Sequence, residues 1–254
     1  LYYALGALVS CWVPVARDVY YEPSINPFWA YRYWEVSVDN KNQYLHGADE
    51  QFPFHGITLA VYMVRWMTVC LGAGVVGLTY GLGRDMFPQR AGVAVGAAAL
   101  VAFNPQFIYL SGAVNNDIAA ALEGVAVLWG CVRLVRRGPS WRLDIVLGVL
   151  YGLALLTKFN LVALLALIEL AYLAAVWQRR DWRAFLRGNL IIAGLAVTIA
   201  GWWFARNWIL YGDPTAMNKV NELWKGSSAA GRWWAVGQGV PYLWSSLWGR
   251  FGYG

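Results

Sequence analysis

Apolar runs alternate along the chain with short polar links. A helix needs about 20 mainly apolar residues to cross the hydrocarbon core of a bilayer, and the runs reach roughly that length repeatedly. The predicted spans are Leu1–Ala16, His55–Leu82, Ala91–Gly112, Ile118–Val135, Leu143–Leu156, Leu161–Trp177 and Asn189–Ala205. Trp233–Tyr253 is rich in Trp and Gly, which favours a segment at the membrane interface. The pattern predicts an all-α fold, a polytopic transmembrane helical bundle of about seven spans with external interfacial loops.

Composition supports a membrane protein. Of the 254 residues, 59% are hydrophobic and 13% are charged, whereas roughly a quarter of the residues in an ordinary soluble domain are charged. The mean hydropathy is +0.43. The apolar runs leave no room for a separate soluble domain, so residues 1–254 are predicted to form a single transmembrane domain.

The arginines predict the orientation of the bundle. The links after the second, fourth and sixth predicted spans read "GRDMFPQR", "RLVRRGPSWR" and "QRRDWRAFLR", and the positive-inside rule places such links in the cytoplasm. Residues 17–54 then form an external loop segment, and residues 206–254 form an external or interfacial segment. The net charge of +6 is assigned to links that contact anionic lipid, so no nucleic-acid partner is predicted.

Most of the unusual polar residues fall on the predicted external face. Ionisable groups at membrane depth are costly and commonly mark functional sites. The candidates are His46, Asp49, Glu50, Asn115, Asn116, Asp117, Lys158, Asn160, Arg206, Asn207 and Asp213. Their grouping predicts a site at one lipid–water boundary.

Each candidate also has a structural explanation. Asn116 or Asp117 could cap the helix that follows. The stem of Lys158 could run along apolar surface while its ammonium group reaches water, although its position between two apolar runs favours pairing with an anion. Arg206 and Asn207 could anchor the end of a span at the interface. The many external aromatic residues suit either sugar and polyprenyl binding or interfacial anchoring.

Several other kinds of chemistry are disfavoured. The three cysteines, Cys11, Cys70 and Cys131, lie in apolar runs without metal-binding spacing. The sequence contains no Walker-type phosphate loop and no convincing dinucleotide fingerprint, and the glycines of "LGAGVVGLTYGLG" are expected to allow close helix packing. Glu123 and Glu169 lie within predicted spans and are expected to be paired inside the bundle, with partners that the sequence does not identify. A transporter is disfavoured because the polar residues cluster at one face and not near the middle of the membrane.

Four ordered segments carry a family resemblance. "LVAFNPQFIYLSGAVNNDIAAAL", "GLALLTKFNLVALL", "GWWFARNWILYGDP" and "SLWGRFGYG" resemble the membrane-embedded glycosyltransferases of the GT-C superfamily. The similarity is to bacterial relatives of dolichyl-phosphate-mannose protein mannosyltransferases, and it extends from Leu1 to Gly254. "LYYALGALV" is similar to a helix that follows a "PPLYY" motif in that family.

The resemblance implies an enzyme of the bacterial inner membrane whose active face is external. Such enzymes transfer a sugar from a polyprenyl-phosphate donor to an acceptor hydroxyl on a lipid, a carotenoid-like alcohol, a protein or an envelope glycan. Some relatives use a divalent metal, for which no ligand set is assigned here. The alternative is a non-catalytic accessory subunit of a larger membrane complex that retains this fold.

The resemblance also implies roles for the external polar residues. A loop carboxylate acts as general base, and the principal acid is expected upstream of Leu1, in a longer chain of which this sequence is an internal portion. Asp49 and Glu50 are the candidate acids within this chain. Donor phosphate and sugar binding are assigned to Asn115, Asn116, Asp117, Lys158, Asn160, Arg206 and Asn207.

Overall fold

The computed structural model describes residues 1–15 and 47–223, and the single positions 239, 244, 247 and 248. The described residues contain helices and no strand, in agreement with the all-α prediction. The helices are α1 Tyr2–Ser10, α2 Gly56–Met86, α3 Ala91–Ala102, α4 Pro105–Ser111, α5 Asp117–Arg137, α6 Trp141–Thr157, α7 Leu164–Arg179, α8 Trp182–Tyr211 and α9 Met217–Leu223. Two 3-10 turns, Ala48–Glu50 and Phe159–Ala163, complete the described elements.

Fewer helices qualify as membrane spans than the sequence pattern predicts. In the described part of the chain, four are long and apolar enough, namely α2, α5, Phe159–Trp177 and α8. The pair α3 and α4 would make a fifth if the two count as one span. The predicted count of seven is not confirmed, because α1 has only nine helical residues and α6 has seventeen.

The predicted span Ala91–Gly112 is broken in the structure. Its two helices, α3 and α4, meet at an angle of 63°. Pro105 has no backbone N–H and cannot continue α3. The side chain of Asn104 accepts a hydrogen bond from the backbone N–H of Phe107, with an N–O distance of 2.9 Å, and so begins α4 as a new helix. The sequence prediction of a span over Ala91–Gly112 did not include the break at this Asn–Pro step.

The chain divides into two compact units, Ala4–Met67 and a larger unit of Leu1–Tyr3 with Thr68–Gly254. In the smaller unit, Gly6 of α1 lies against Val64 of α2, because a Cβ atom at Gly6 would be 3.3 Å from the Val64 side chain. The rings of Phe54 and Tyr62 stack with their centroids 3.8 Å apart. These contacts give the smaller unit its own apolar packing.

Close packing of α6 on α8 organises the larger unit. A Cβ atom on Gly148 would lie 3.0 Å from Cα of Ile192, and one on Gly152 would lie 3.0 Å from Cβ of Ile199. The two glycines are four residues apart, the small-xxx-small spacing that lets helix backbones approach each other within membranes. Because the later glycine faces the later isoleucine, α6 and α8 run in the same direction.

A buried apolar core joins α5, α6, α7 and α8. Its largest fully buried members are Val127, Leu134, Leu147, Ile168, Tyr172 and Ile192. Asn116 at the start of α5 is bonded to Thr157 at the end of α6, so α5 runs antiparallel to α6. The start of α5 and the ends of α6 and α8 therefore share one end of the bundle, which we call the Lys158 end.

The opposite end of the bundle, which we call the arginine end, contains the last turn of α5 and the beginnings of α6 and α8. Asp144 is fully buried there. Its carboxylate accepts hydrogen bonds from the Tyr172 hydroxyl at 2.5 Å and from Nε of Arg187 at 3.1 Å. This satisfied carboxylate links α6, α7 and α8, because buried charges are tolerated when they are paired and hydrogen-bonded.

Candidate functional site

An ion pair between Asp117 and Lys158 lies at the centre of the Lys158 end. The ammonium group of Lys158 donates to Oδ1 of Asp117. About a third of each side chain is exposed, 35% for Asp117 and 37% for Lys158. The sequence analysis favoured an anionic partner for Lys158, and the structure shows that this partner is the carboxylate of Asp117. The pair joins the first residue of α5 to the residue that follows α6.

The two neighbouring asparagines have distinct structural roles. Oδ1 of Asn115 accepts from the backbone N–H of Asp117 at 2.9 Å. Nδ2 of Asn116 donates to the carbonyl oxygen of Thr157 at 3.0 Å, which satisfies a carbonyl at the end of α6. Neither Asn116 nor Asp117 caps α5 with its side chain, so the capping alternative was wrong for both. Asn115 makes the local bond instead.

Thr157 and Glu123 extend this connection into the bundle. Oγ1 of Thr157 donates to Oε1 of Glu123 at 2.7 Å, and Glu123 is 8% exposed. The other carboxylate oxygen, Oε2, has no hydrogen-bond partner among the described residues. The expectation that Glu123 is paired inside the bundle is met by Thr157, a residue that the sequence did not single out. This pairing could not be predicted from the sequence, because a threonine at the end of an apolar run does not indicate which residue on another helix it contacts.

The end of α8 lies beside the same region. The rings of Phe159 and Phe204 are in edge contact, with centroids 6.3 Å apart. Lys158 immediately precedes Phe159, and Arg206 follows Phe204 by two residues. The helix directions and this ring contact therefore bring Arg206 to the end of the bundle that holds the Asp117–Lys158 pair.

Arg206 and Asn207 are adjacent but differ in what they offer a ligand. The Arg206 side chain is exposed, and its guanidinium carbon lies 5.2 Å from the centre of the Trp203 ring. Asn207 is 4% exposed, and its amide donates to the carbonyl oxygen of Pro214 at 3.3 Å. Asn207 thus stabilises the turn after α8, while Arg206 faces outward. Among the described residues no carboxylate forms an ion pair with Arg206.

Asp213 closes the turn that leads into α9. Its carboxylate accepts from the backbone N–H of Asn218 at 3.0 Å, and from the backbone N–H and hydroxyl of Thr215 at 2.9 and 2.8 Å. These hydrogen bonds, above all the one from Asn218, hold the pKa of Asp213 below its ordinary value. All of these partners lie within the same turn, which indicates a structural role.

The remaining sequence candidates are less informative. His46 lies outside the described residues, as does the side chain of Asp49. Asp49 and Glu50 belong to the 3-10 turn Ala48–Glu50 in the smaller unit, where Glu50 is half-buried and has an interaction partner. Asn160 is exposed, two residues after Lys158. Within the described ranges, no group of three or more His, Cys, Asp or Glu side chains could hold a metal ion.

The arrangement at the Lys158 end can bind an anion and polar hydroxyls. Lys158 pairs with the partly exposed carboxylate of Asp117, and a second cation, Arg206, lies at the same end of the bundle. The charge of Lys158 is already balanced by Asp117, whereas Arg206 has a planar guanidinium group that can bind phosphate through two parallel hydrogen bonds. The two cations are therefore unequal, and Arg206 is the better placed for a phosphate.

Comparison with known proteins identifies the family of this chain. The family model of dolichyl-phosphate-mannose-protein mannosyltransferases matches residues 16–218, which is most of the chain. That match includes the Asp117–Lys158 pair, Arg206 and all four helices that qualify as membrane spans. No curated protein and no solved structure matches the chain. The chain belongs to the dolichyl-phosphate-mannose-protein mannosyltransferase family and is an integral membrane glycosyltransferase.

Proposed function

We propose that this enzyme transfers a sugar from a polyprenyl-phosphate donor to an acceptor hydroxyl at the Lys158 end of the bundle, and that this end faces the outside of the cell. The observation that carries the proposal is that Arg206 and the Asp117–Lys158 pair lie at the same end of the bundle. In a family of glycosyltransferases, such a group suits a donor whose phosphate lies at the membrane surface and whose prenyl chain lies in the lipid.

Arg206 is the proposed ligand of the donor phosphate. When the bond between sugar and phosphate breaks, negative charge grows on the leaving phosphate, and a fixed cationic donor lowers the energy of that transition state. The stacking of Arg206 on Trp203 restrains the guanidinium group without neutralising it. The charge therefore remains available to the departing phosphate.

The Asp117–Lys158 pair is proposed to bind sugar hydroxyls. A carboxylate accepts hydrogen bonds and an ammonium group donates three, so the partly exposed pair offers both functions on one surface. Asn160 would add an amide on the same side. Asp49 and Glu50 remain the general-base candidates that the family resemblance implies for this chain.

Substitution of Arg206 tests the proposal in membrane vesicles that contain the protein. Transfer of radiolabelled mannose from polyprenyl-phosphate mannose to endogenous lipid and protein acceptors would be measured for wild type, Arg206→Ala, Arg206→Lys and a control, Lys219→Ala. Lys219 is exposed and pairs only with Glu222 on its own helix, among the described residues. We expect Arg206→Ala to lower kcat about 10²- to 10³-fold. Arg206→Lys should lower kcat less than Arg206→Ala does but should not reach the wild-type rate, because lysine keeps the charge and lacks the planar fork of the guanidinium group.

Two results would contradict the proposal. A wild-type protein that transfers no sugar from polyprenyl-phosphate donors would exclude this activity. Transfer by Arg206→Ala at the rate of Lys219→Ala, with equal amounts of inserted protein, would remove Arg206 from the donor site.

A further inference from the structure

The arginine end carries a polar pocket that the proposed sugar transfer does not use. The pocket has a volume of about 280 Å³ and is lined by Asp85, Pro88, Val132, Arg133, Arg136 and Arg137. Three arginines face a single carboxylate, so the lining carries more positive than negative charge. The pocket lies at the last turn of α5, where a membrane-spanning helix meets lipid headgroups.

The single carboxylate is occupied by protein donors. Asp85 accepts from Nε1 of Trp129 at 2.5 Å and from Nε of Arg133 at 2.9 Å, and Arg137 lies 3.5 Å from its other oxygen. The Arg133 guanidinium also stacks on the Trp129 ring at 4.3 Å. These contacts hold Arg133 and Arg137 at the pocket. Arg136 is exposed, and no carboxylate in the described part of the chain pairs with it.

An apolar groove adjoins the polar pocket. It has a volume of about 490 Å³, and its lining from α5 and α7 includes Leu128, Val135, Leu167 and Leu170. Val132 and Arg136 line both the groove and the pocket, so the two spaces adjoin each other. A basic pocket beside an apolar groove matches the shape of a phospholipid, in which a charged headgroup is attached to acyl chains.

We propose that this pocket and groove bind one anionic phospholipid, with its phosphate on Arg136 and Arg137 and an acyl chain along α5 and α7. Charge complementarity selects an anionic lipid over a zwitterionic one, because among the described lining residues Asp85 is the single carboxylate facing three arginines. Basic pockets between transmembrane helices are suited to such headgroups. The bound lipid would fill the groove between α5 and α7, at the end of the bundle opposite the proposed sugar site.

Native mass spectrometry of the detergent-solubilised protein tests this proposal. Dioleoyl phosphatidylglycerol and dioleoyl phosphatidylcholine would be titrated separately into wild type, Arg136→Gln and a control, Arg142→Gln. Arg142 lies near the same end but outside the pocket, and it contacts Trp141 on its own helix. Arg136→Gln breaks no ion pair among the described residues, so it is expected to fold.

Wild type should bind phosphatidylglycerol more tightly than phosphatidylcholine. Arg136→Gln should weaken phosphatidylglycerol binding about fivefold, the factor that corresponds to one basic residue at a lipid surface, and Arg142→Gln should leave it unchanged. Equal affinity of wild type for the two lipids, or an unchanged affinity in Arg136→Gln, would overturn the proposal.

A second variant tests the groove separately. Ala174 lines the groove and is exposed, so Ala174→Phe should fill part of the space and weaken binding of phosphatidylglycerol while the arginines remain. Unchanged lipid binding in Ala174→Phe would show that the groove does not hold the acyl chain. Displacement of the lipid by soluble glycerol phosphate at the same concentration would also refute it, since the headgroup alone would then account for binding.

Discussion

The bond between Thr157 and Glu123 provides a quantitative test of how the Lys158 end is held together. Thr157→Val removes the hydroxyl that donates to Oε1 of Glu123 at 2.7 Å but keeps nearly the same shape. Oε2 of Glu123 already has no hydrogen-bond partner among the described residues. Because Glu123 is only 8% exposed, the substitution leaves a buried carboxyl group with no side-chain hydrogen bond to either oxygen from the described residues. A buried polar group that loses its partner costs about 1–3 kcal/mol, and more if it is charged.

Removing both partners should cost less than removing one. In the double variant Glu123→Met/Thr157→Val, neither side chain retains a buried polar group, and replacing both partners of a hydrogen bond by apolar groups of similar shape can be nearly neutral. The free energy of unfolding should therefore fall by about 1–3 kcal/mol in Thr157→Val and by less in the double variant. The corresponding interaction energy should lie within the range of about 0.5–3 kcal/mol typical of contacting residues.

Unfolding of the purified protein in mixed micelles, followed by circular dichroism, would measure these differences. Thr198→Val is the matched control, because Thr198 is exposed and its hydroxyl donates only to the carbonyl oxygen of Gly194 on the same helix. That change should stay within about 0.5 kcal/mol. Two results would refute the reasoning. The first is a loss of unfolding free energy in Thr157→Val that is no larger than in Thr198→Val, and the second is a loss in the double variant that equals the sum of the losses in the two single variants.

Two further perturbations address the helix packing and the turn before α9. Gly148→Ala should lower the free energy of unfolding by about 1–3 kcal/mol, because its Cβ would lie 3.0 Å from the backbone of Ile192; Gly124→Ala, where a Cβ meets nothing within 4 Å, should be neutral or slightly stabilising in the same micelle assay. The pKa of Asp213 is lowered from 3.8, so its contribution to stability is present above that value and is lost as the pH falls through the folded-state pKa. The amide of Asn218 should therefore keep its exchange protection from about pH 6 down to about pH 4 and lose it only as the pH falls further, through the lowered pKa of Asp213. Asp213→Asn should show little of this pH dependence; protection that is already lost above about pH 4 in the wild type would contradict the assignment.

The sequence predicted the two ends of the bundle better than the contacts within them. The positions of the arginines and of the "SGAVNND" and "TKFN" segments were enough to separate an arginine end from an end that holds Asp117 and Lys158. Hydropathy and charge repeat on the scale of a whole span, so they locate helix ends. They do not set the rotation of a helix about its axis, and side chains change direction by about 100° at each residue.

The missed features depend on that rotation. Asn116 and Asn115 are adjacent, yet one bonds to Thr157 on another helix and the other bonds within its own turn. The pairing of Thr157 with Glu123 likewise requires two particular helix faces to meet. The break at Asn104 is different, since the Asn–Pro step was visible in the sequence and the apolar character on both sides outweighed it in the prediction.

Two buried carboxylates distinguish the ends of the bundle. Asp144, at the arginine end, has both oxygens engaged, one by Tyr172 and the other by Arg187. Glu123, toward the Lys158 end, has only one oxygen engaged within the described residues. Polar groups that serve only stability are normally satisfied when buried. Glu123 is bonded to Thr157, the residue before Lys158. Its incomplete satisfaction at this end supports the proposal that substrate binds there, while the arginine end holds α6, α7 and α8 in place.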